Sequence, residues 1–125
     1  MAEDSGMFHE AVETLKPKTR DMHRAVVSVV EELQAIDWYS QRVDGAEDSE
    51  LRAILKHNSD EEKEHASMLL EWIRRQDPVF EAHLRKYLFR PGSIVQAEER
   101  AAAGANGSGA ASGRPSIGSL REVPR

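Results

Sequence analysis

The sequence predicts an all-α protein, an antiparallel two-helix hairpin with short C-terminal helices that dimerises into a four-helix bundle. Two long stretches place apolar residues at the spacing of one helix face, and a short turn signal separates them. Each stretch interrupts its apolar face with a few carboxylate or imidazole side chains. A two-helix hairpin also exposes an apolar seam that it cannot cover alone, so a second copy is expected.

Length and composition favour one small domain followed by a tail. We predict a helical half-bundle over residues 1–95, a short helix and flexible linker over 96–114, and a separate terminal segment over 115–125. The chain has no cysteine, which excludes a disulfide framework, a thiolate metal site and a thiol nucleophile. This composition is consistent with a reducing cytoplasm.

Charge and hydropathy narrow the possible partners. The formal net charge of −5 argues against nucleic acid, because phosphate binding needs clustered lysine and arginine. No apolar run approaches the roughly 20 residues that cross a bilayer, and no basic-then-apolar leader opens the chain. We therefore expect a soluble, unsecreted protein without a membrane partner.

The first long helix is predicted to extend to about Tyr39. Pro17 lacks a backbone N–H, so the helix either starts at this proline or kinks there. Residues 8–16 are predicted to form a separate helical turn. At 100° per residue, one face of the helix holds Ala25, Ser28, Val29, Glu32, Ile36 and Tyr39.

The second long helix is predicted over residues 47–76, after a turn at 40–46 that contains Asp44-Gly45. Its apolar face holds Leu51, Ile54, Leu55, Ala66, Leu69 and Ile73. The same stripe is interrupted by Asn58, Glu62 and His65. Polar residues within an otherwise apolar face are the first indication of a functional site.

Shorter helices are predicted to follow. Asp77-Pro78 is typical of an N-cap and first-position pair, and opens a third helix that ends by Arg90. Ser93 and Gln96 form a capping-box pattern for a last helix over 94–102. From Gly104 onward the Gly/Ser/Ala-rich sequence predicts a flexible linker.

Glu62-Lys63-Glu64-His65 is an E-x-x-H motif, whose spacing places Glu62 and His65 one turn apart on one helix face. Glu32 occupies a comparable stripe on the facing helix. Buried carboxylates are costly unless they are paired or bind metal, so the alignment of all three favours a metal site. Alternatively, the two glutamates could reach water or arginines at the edge of the core, and His65 could be a hydrogen-bonded core histidine.

The ferritin-like di-iron pattern takes one Glu from each of two helices and one E-x-x-H motif from each of the other two. This chain supplies half of that set. Two copies in an antiparallel dimer supply four carboxylates and two imidazoles, which balance the charge of two Fe²⁺ ions. Oxygen-rich ligation with little imidazole suits iron or manganese better than soft metals.

Four neighbours of this motif allow two interpretations each. Glu31 on the flank of helix 1 could guide iron inward or be a solvated charge. Trp38 could contact the site or pack at an interface, and Tyr39 could donate a hydrogen bond or an electron, or simply pack. Asn58, one turn before Glu62, could orient a ligand or lie at the bundle edge.

Two stretches of the chain resemble encapsulated ferritin, the ferritin-like cargo of encapsulin nanocompartments. They are HRAVVSVVEELQAIDWYSQRVD over 23–44 and HNSDEEKEHASMLLEWIRRQDPVFEAHLRKYLF over 57–89. The resemblance spans roughly residues 10–95. It implies metal ligands at Glu32, Glu62 and His65, with Trp38 and Tyr39 beside the site.

The resemblance also implies a ring of five dimers that oxidises Fe²⁺ with O₂ and relies on the encapsulin shell to store the mineral. Near the chain end, Ser116-Ile117-Gly118-Ser119-Leu120-Arg121 resembles the encapsulin-targeting peptide, with two apolar anchors three residues apart on a long tether. The sequence departs from the family in two places. Gln34 stands where an outward acidic residue is expected, and Pro17 falls where the family helix tends to continue.

The function expected from these features is a cytoplasmic ferroxidase inside an encapsulin nanocompartment, with two iron ions per dimer. One alternative is another carboxylate-bridged activity, such as a peroxidase or a manganese enzyme. A second alternative is non-enzymatic, with metal serving only dimer or ring assembly. A third is a purely structural bundle that carries a targeting tail.

Overall fold

The structure, a computed structural model, describes residues 7–107, and within that range all regular secondary structure is helical. A 3₁₀ turn at Val12–Thr14 precedes four helices: α1 (Pro17–Gly45), α2 (Ser49–Gln76), α3 (Pro78–Tyr87) and α4 (Ile94–Gly107). The predicted all-α class is confirmed. The chain divides into two units, Met1–Glu81 and Ala82–Arg125. None of the described helices is long and apolar enough to cross a membrane.

Helix α1 starts at the predicted proline. Pro17 occupies its first position, where the absent N–H is not needed for helical hydrogen bonding. The helix ends at Gly45 and not near Tyr39, so the predicted turn over 40–46 is wrong. Nothing between Ser40 and Asp44 interrupts helical hydrogen bonding, and the Ala46 N–H still donates to the Arg42 carbonyl at 2.9 Å. The Asp-Gly pair therefore marks the helix end.

Only residues 46–48 connect α1 to α2, which makes the two helices antiparallel neighbours. Asp48 caps α2, because its Oδ2 accepts a hydrogen bond from the Leu51 N–H at 2.8 Å. Arg52 stabilises the same connection, because its guanidinium donates a hydrogen bond to the Ala46 carbonyl at 2.5 Å. These bonds fix the register in which the two helices face each other.

The α1–α2 interface is narrow and lined by small side chains. Its buried residues are Ala25 on α1 and Ser59, Ala66 and Ile73 on α2. The three α2 positions are spaced by seven residues, as in a helix seam. The predicted stripe was too broad, since Leu51 and Ile54 lie on its flank and are about half exposed. Ser59, which the apolar pattern missed, is buried instead.

Much apolar surface remains uncovered on the described helices. Exposed large apolar residues on α1 and α2 are Val26, Val30, Leu33, Trp38, Leu51, Ile54, Met68, Leu70 and Trp72. Among the described residues only three apolar side chains fall in the buried class. A hairpin with so small a core gains most from burying these faces against another chain.

An arginine joins the end of α2 to the start of α3. The Arg74 guanidinium donates to both carboxylate oxygens of Glu71 at 2.8 Å, and to Glu81 at 2.6 Å. Arg75 adds a bond to Glu71 at 2.7 Å. The bonds from Arg74 and then Arg75 lower the pKa of Glu71 to about 2. Asp77 caps α3 as predicted, with its Oδ1 3.0 Å from the Val79 and Phe80 N–H groups.

Helix α4 begins with the predicted serine cap, since Ser93 Oγ accepts from the Gln96 N–H at 3.1 Å. It continues to Gly107, five residues past the predicted end, so residues 104–107 are helical and not part of a linker. An alanine-rich run carries the helix through this region. The rest of the predicted linker and the segment 115–125 lie outside the described residues.

Candidate metal centre

Glu32, Glu62 and His65 meet where the middle of α1 faces the middle of α2. The Nδ1 atom of His65 lies 3.2 Å from Glu62 Oε1 and 3.7 Å from Glu32 Oε1. One ligand atom from each residue falls within 4.8 Å of the other two. The structure thus brings together the three residues that the sequence singled out as ligands.

The seven-residue seam explains this meeting. Glu32 lies seven residues after the buried Ala25, on the face of α1 that packs against α2. Glu62 and His65 lie between the buried Ser59 and Ala66 on α2. Small side chains at these seam positions let the helices approach closely enough for the ligand atoms to converge. The distances within this cluster are therefore set by the packing of residues outside it.

The cluster lies at an open edge of the helix pair. The exposed fractions of the side chains are 24% for Glu32, 25% for Glu62 and 44% for His65. The two carboxylates are mostly shielded from water, while the imidazole borders solvent. An open imidazole side allows a second helix pair to approach the same point.

The carboxyl groups of Glu32 and Glu62 are close enough to shift each other's pKa. Their hydrogen bond is the main cause that raises the pKa of Glu32, and burial and the charge of Glu62 act in the same direction. The same bond lowers the pKa of Glu62, whose negative charge is also stabilised by His65. The pKa of His65 is raised, chiefly by its hydrogen bond to Glu62. The raised pKa of His65 and the lowered pKa of Glu62 both follow from the favourable pairing of an imidazolium with carboxylates.

The donor set fits a divalent cation that prefers oxygen. Two carboxylate oxygens and one imidazole nitrogen are typical ligands of Fe²⁺ and Mn²⁺, and the chain has no thiolate to favour a softer metal. Three donors leave coordination positions open. Within the described part of the chain, no other group of three or more His, Asp or Glu side chains converges in this way.

The other residues predicted near the site have different surroundings. Glu31 and Trp38 are exposed, and Asn58 is half-buried. Tyr39 is half-buried with the Arg42 guanidinium 5.3 Å from its ring centroid. Their roles at the site stay predictions. The predicted targeting residues Ile117, Gly118, Ser119, Leu120 and Arg121 lie outside the described residues.

Sequence reasoning missed Glu61. One of its oxygens lies 4.0 Å from His65 Nε2, and the other lies 3.8 Å from His57 Nε2. The residues 57, 61 and 65 therefore form a row on the exposed flank of α2. Their four-residue spacing was visible in the sequence, but Glu61 lies outside the apolar stripe that guided the search.

Comparisons with known proteins identify the family of the chain. A family model described as EncFtn-like matches residues 7–91. The chain is 51% identical to an encapsulated ferritin-like protein of Rhodospirillum rubrum, over 97% of this chain and 92% of the relative. It is 47% identical to a ferritin-like protein of Thermotoga maritima, over 82% of this chain and 90% of the relative.

A more distant relative and a solved structure extend the comparison. The encapsulin nanocompartment cargo protein EncC of Myxococcus xanthus is 30% identical over 91% of this chain and 95% of its own length. The crystal structure of protein ne0167 from Nitrosomonas europaea shares 57% identity and a TM-score of 0.68, over 70% of this chain and 96% of that one. The resemblance seen in the sequence is confirmed.

Proposed function

The chain belongs to the EncFtn-like family, and on that premise we propose that it is a ferroxidase that oxidises Fe²⁺ with O₂ at a site completed by a second copy. The observation that carries this proposal is the convergence of Glu32, Glu62 and His65 within 4.8 Å. The shared half-buried carboxylates and the bordering imidazole supply ligands suited to iron. Iron is the substrate of the reaction, and O₂ is the oxidant.

The second copy is required because one chain supplies half of a di-iron donor set. An antiparallel dimer brings together four carboxylates and two imidazoles, which neutralise two Fe²⁺ ions. The His65 side of the cluster is the open side, so the second set of ligands can approach there. The same association covers apolar surface on α1 and α2 that the hairpin leaves exposed. Dimerisation would therefore complete the ligand set and bury the exposed apolar surface at the same time.

The ligands also favour the direction of the reaction. Carboxylates stabilise Fe³⁺ more than Fe²⁺, because their negative charge interacts more strongly with the higher cation charge. Two Fe²⁺ ions release two electrons, and these reduce one O₂ to H₂O₂ with the uptake of two protons. Glu62 raises the pKa of Glu32, and a cation bound between the two carboxylates would compensate the charge that causes this shift.

Storage of the product is assigned to a shell. A relative named as an encapsulin nanocompartment cargo protein supports the proposal that this chain, too, is cargo inside an encapsulin shell in the cytoplasm. We assign the targeting peptide to residues 115–125, in which Ile117 and Leu120 are the apolar anchors. Dimers joined in a ring of five present ten such segments, which bind a shell with many sites far more tightly than one segment can.

The test is an anaerobic titration with Fe²⁺, followed by O₂ and measurement of absorbance against iron per chain. We expect a fast phase that saturates near one iron per chain. His65→Ala should remove this phase, and His57→Ala is the matched control because His57 is an exposed histidine two turns earlier on α2. Retained kinetics in His65→Ala would exclude His65 from the site. Tight binding without a fast phase would indicate a structural metal, and faster oxidation with H₂O₂ than with O₂ would indicate a peroxidase.

A further inference from the structure

The two ring nitrogens of His65 face different neighbours. Nδ1 lies 3.2 Å from Glu62 Oε1 and 3.7 Å from Glu32 Oε1, so it is the ring atom that faces the metal cluster. Nε2 lies 4.0 Å from Glu61 Oε1. Because the two nitrogens of an imidazole point in divergent directions, a cation held by Nδ1 leaves Nε2 directed towards Glu61.

A bound imidazole requires a hydrogen-bond acceptor at its second nitrogen. A neutral imidazole that binds a cation through Nδ1 carries its proton on Nε2 and is a donor there. Histidines that bind metals almost always donate this N–H to a carboxylate, a backbone carbonyl or water, which fixes the orientation of the ring. The Glu61 carboxylate lies where this acceptor is needed.

The position of Glu61 relative to His65 is determined by α2 alone. The two residues are four apart on this helix, which places their side chains on neighbouring turns of one face. Their contact is therefore independent of how closely α1 approaches. The buried seam sets the distance between ligands on different helices, whereas Glu61 is placed to set the rotation of one ligand's ring.

The separation of 4.0 Å is longer than a direct hydrogen bond, which needs about 3.2 Å or less. Hydrogen bonds around functional sites commonly shorten when the site is filled. The Glu61 side chain is 48% exposed, so little packing opposes the change of rotamer that brings its oxygen to Nε2. Its other oxygen lies 3.8 Å from Nε2 of His57, whose side chain is 70% exposed, and contacts between such exposed groups are weak.

Glu61 is less suited to bind the same ion directly. Within the described residues, the group whose ligand atoms lie within 4.8 Å of one another consists of Glu32, Glu62 and His65 and leaves Glu61 out. The Glu61 carboxylate approaches Nε2, the ring nitrogen that points away from the other two carboxylates. Its position therefore supports a role that acts through His65.

We propose that Glu61 is a positioning residue for His65, which accepts a hydrogen bond from Nε2–H while Nδ1 binds the cation. The ring needs such a restraint, because its side chain is 44% exposed and little packing limits its rotation. The inference rests on the proposed function in that His65 is a ligand, but it requires neither iron oxidation nor O₂.

Three variants separate the hydrogen bond from the charge. Glu61→Ala removes both, whereas Glu61→Gln removes the charge and keeps a carbonyl oxygen that can accept from Nε2–H. Glu64→Gln is the matched control, because Glu64 is also an exposed glutamate of α2 and adjoins His65 in the sequence. Circular dichroism checks that each variant retains its helices, as expected for substitutions at exposed positions.

Anaerobic titration with Co²⁺ measures the affinity and the visible spectrum of the bound ion, which depends on ligand geometry. His65→Ala is titrated in parallel and identifies the part of the signal that belongs to the cluster. We expect Glu61→Ala to weaken this binding about 10–100-fold and to change the spectrum. Glu61→Gln should recover most of the lost affinity and the parental spectrum, and Glu64→Gln should bind as the parent does.

Parental affinity and spectrum in Glu61→Ala would overturn the proposal. Equal losses in Glu61→Gln and Glu61→Ala would also overturn it, because the charge and not the hydrogen bond would then be responsible. A crystal structure of the Co²⁺-loaded parent should show a Glu61 oxygen within about 3.2 Å of His65 Nε2, and a cation bound to Nε2 instead would exclude the role.

The oxidation of Fe²⁺ by O₂, measured on the same proteins, tests the proposed ferroxidase separately. A parent that binds Co²⁺ as expected, with the predicted order of variants, but does not oxidise iron would contradict the ferroxidase and support the role of Glu61. A parent that oxidises iron rapidly while Glu61→Ala binds Co²⁺ normally would have the opposite meaning.

Discussion

Enlarging Ala66 should separate the metal ligands without altering any of them. Ala66 is buried in the α1–α2 seam, next to His65 and one turn after Glu62. Leucine at this position adds three carbon atoms where helix α1 packs, so the helices must move apart or other side chains must leave their rotamers. The ligands on α1 and α2 then separate, because Glu32 lies on one helix while Glu62 and His65 lie on the other.

The magnitude follows from the ligand distances. Metal–oxygen and metal–nitrogen bonds of about 2.1 Å allow two donors of one ion to lie at most about 4.2 Å apart. His65 Nδ1 lies 3.7 Å from Glu32 Oε1 across the two helices, which is inside that limit. A helix displacement of about 1 Å would take this pair to about 4.7 Å, past the limit. We expect metal affinity to fall at least about tenfold and the folded chain to lose about 1–3 kcal/mol of stability.

The assay is an anaerobic titration with Co²⁺ and Fe²⁺, together with urea unfolding at fixed protein concentration. Ala53→Leu is the matched control, because Ala53 is exposed on the same helix. We expect this control to bind metal as the parent does. If Ala66→Leu also binds metal with parental affinity, the argument that the small-residue seam sets the ligand distance is refuted.

Three further predictions concern the ion pair of Arg74 with Glu71, the N-cap of α2 and residues 116–125. Arg74 holds the pKa of Glu71 at about 2, below its ordinary value of 4.5, so the pair's stabilisation is complete above the ordinary pKa and disappears as the pH falls towards 2. The free energy of unfolding in urea should therefore fall more between pH 5 and 2 for the parent than for Glu71→Gln. The same pH dependence in both proteins would contradict this. Asp48→Ala should lower stability by about 0.5–2 kcal/mol in thermal unfolding, because the Leu51 N–H loses its acceptor; an unchanged midpoint would show that the cap contributes nothing. Deleting residues 116–125 should abolish packaging when shell protein is co-expressed but leave iron oxidation unchanged, and normal packaging would exclude the proposed address.

Periodicity predicted the helices and the convergence of three candidate ligands because both depend on local spacing. A carboxylate or imidazole inside an apolar stripe can be recognised from the sequence alone, and Glu32, Glu62 and His65 were found in that way. Helix ends were harder, because Asp44-Gly45 is compatible with a turn and with a helix terminus. The choice depends on hydrogen bonds that Arg42 and Ala46 make in the folded corner.

Burial could not be predicted because it depends on the angle at which two helices meet. The stripe on α2 is wider than the contact with α1, so Leu51 stays exposed while Ser59 is buried. Glu61 was missed for a related reason, since it approaches His65 from outside the apolar face. Such residues are identified only when the neighbouring helix is in place.

If each iron site takes ligands from two chains, binding and association must strengthen each other equally. Fe²⁺ that binds the dimer better than the separate chains lowers the dissociation constant of the dimer by the same factor by which dimerisation raises iron affinity. The half-buried carboxylates of Glu32 and Glu62 favour this coupling, because a cation bound between them would compensate two negative charges that otherwise oppose each other. Dilution experiments with and without metal measure the factor directly. A dissociation constant that does not respond to metal would mean that the three ligands of one chain bind iron alone.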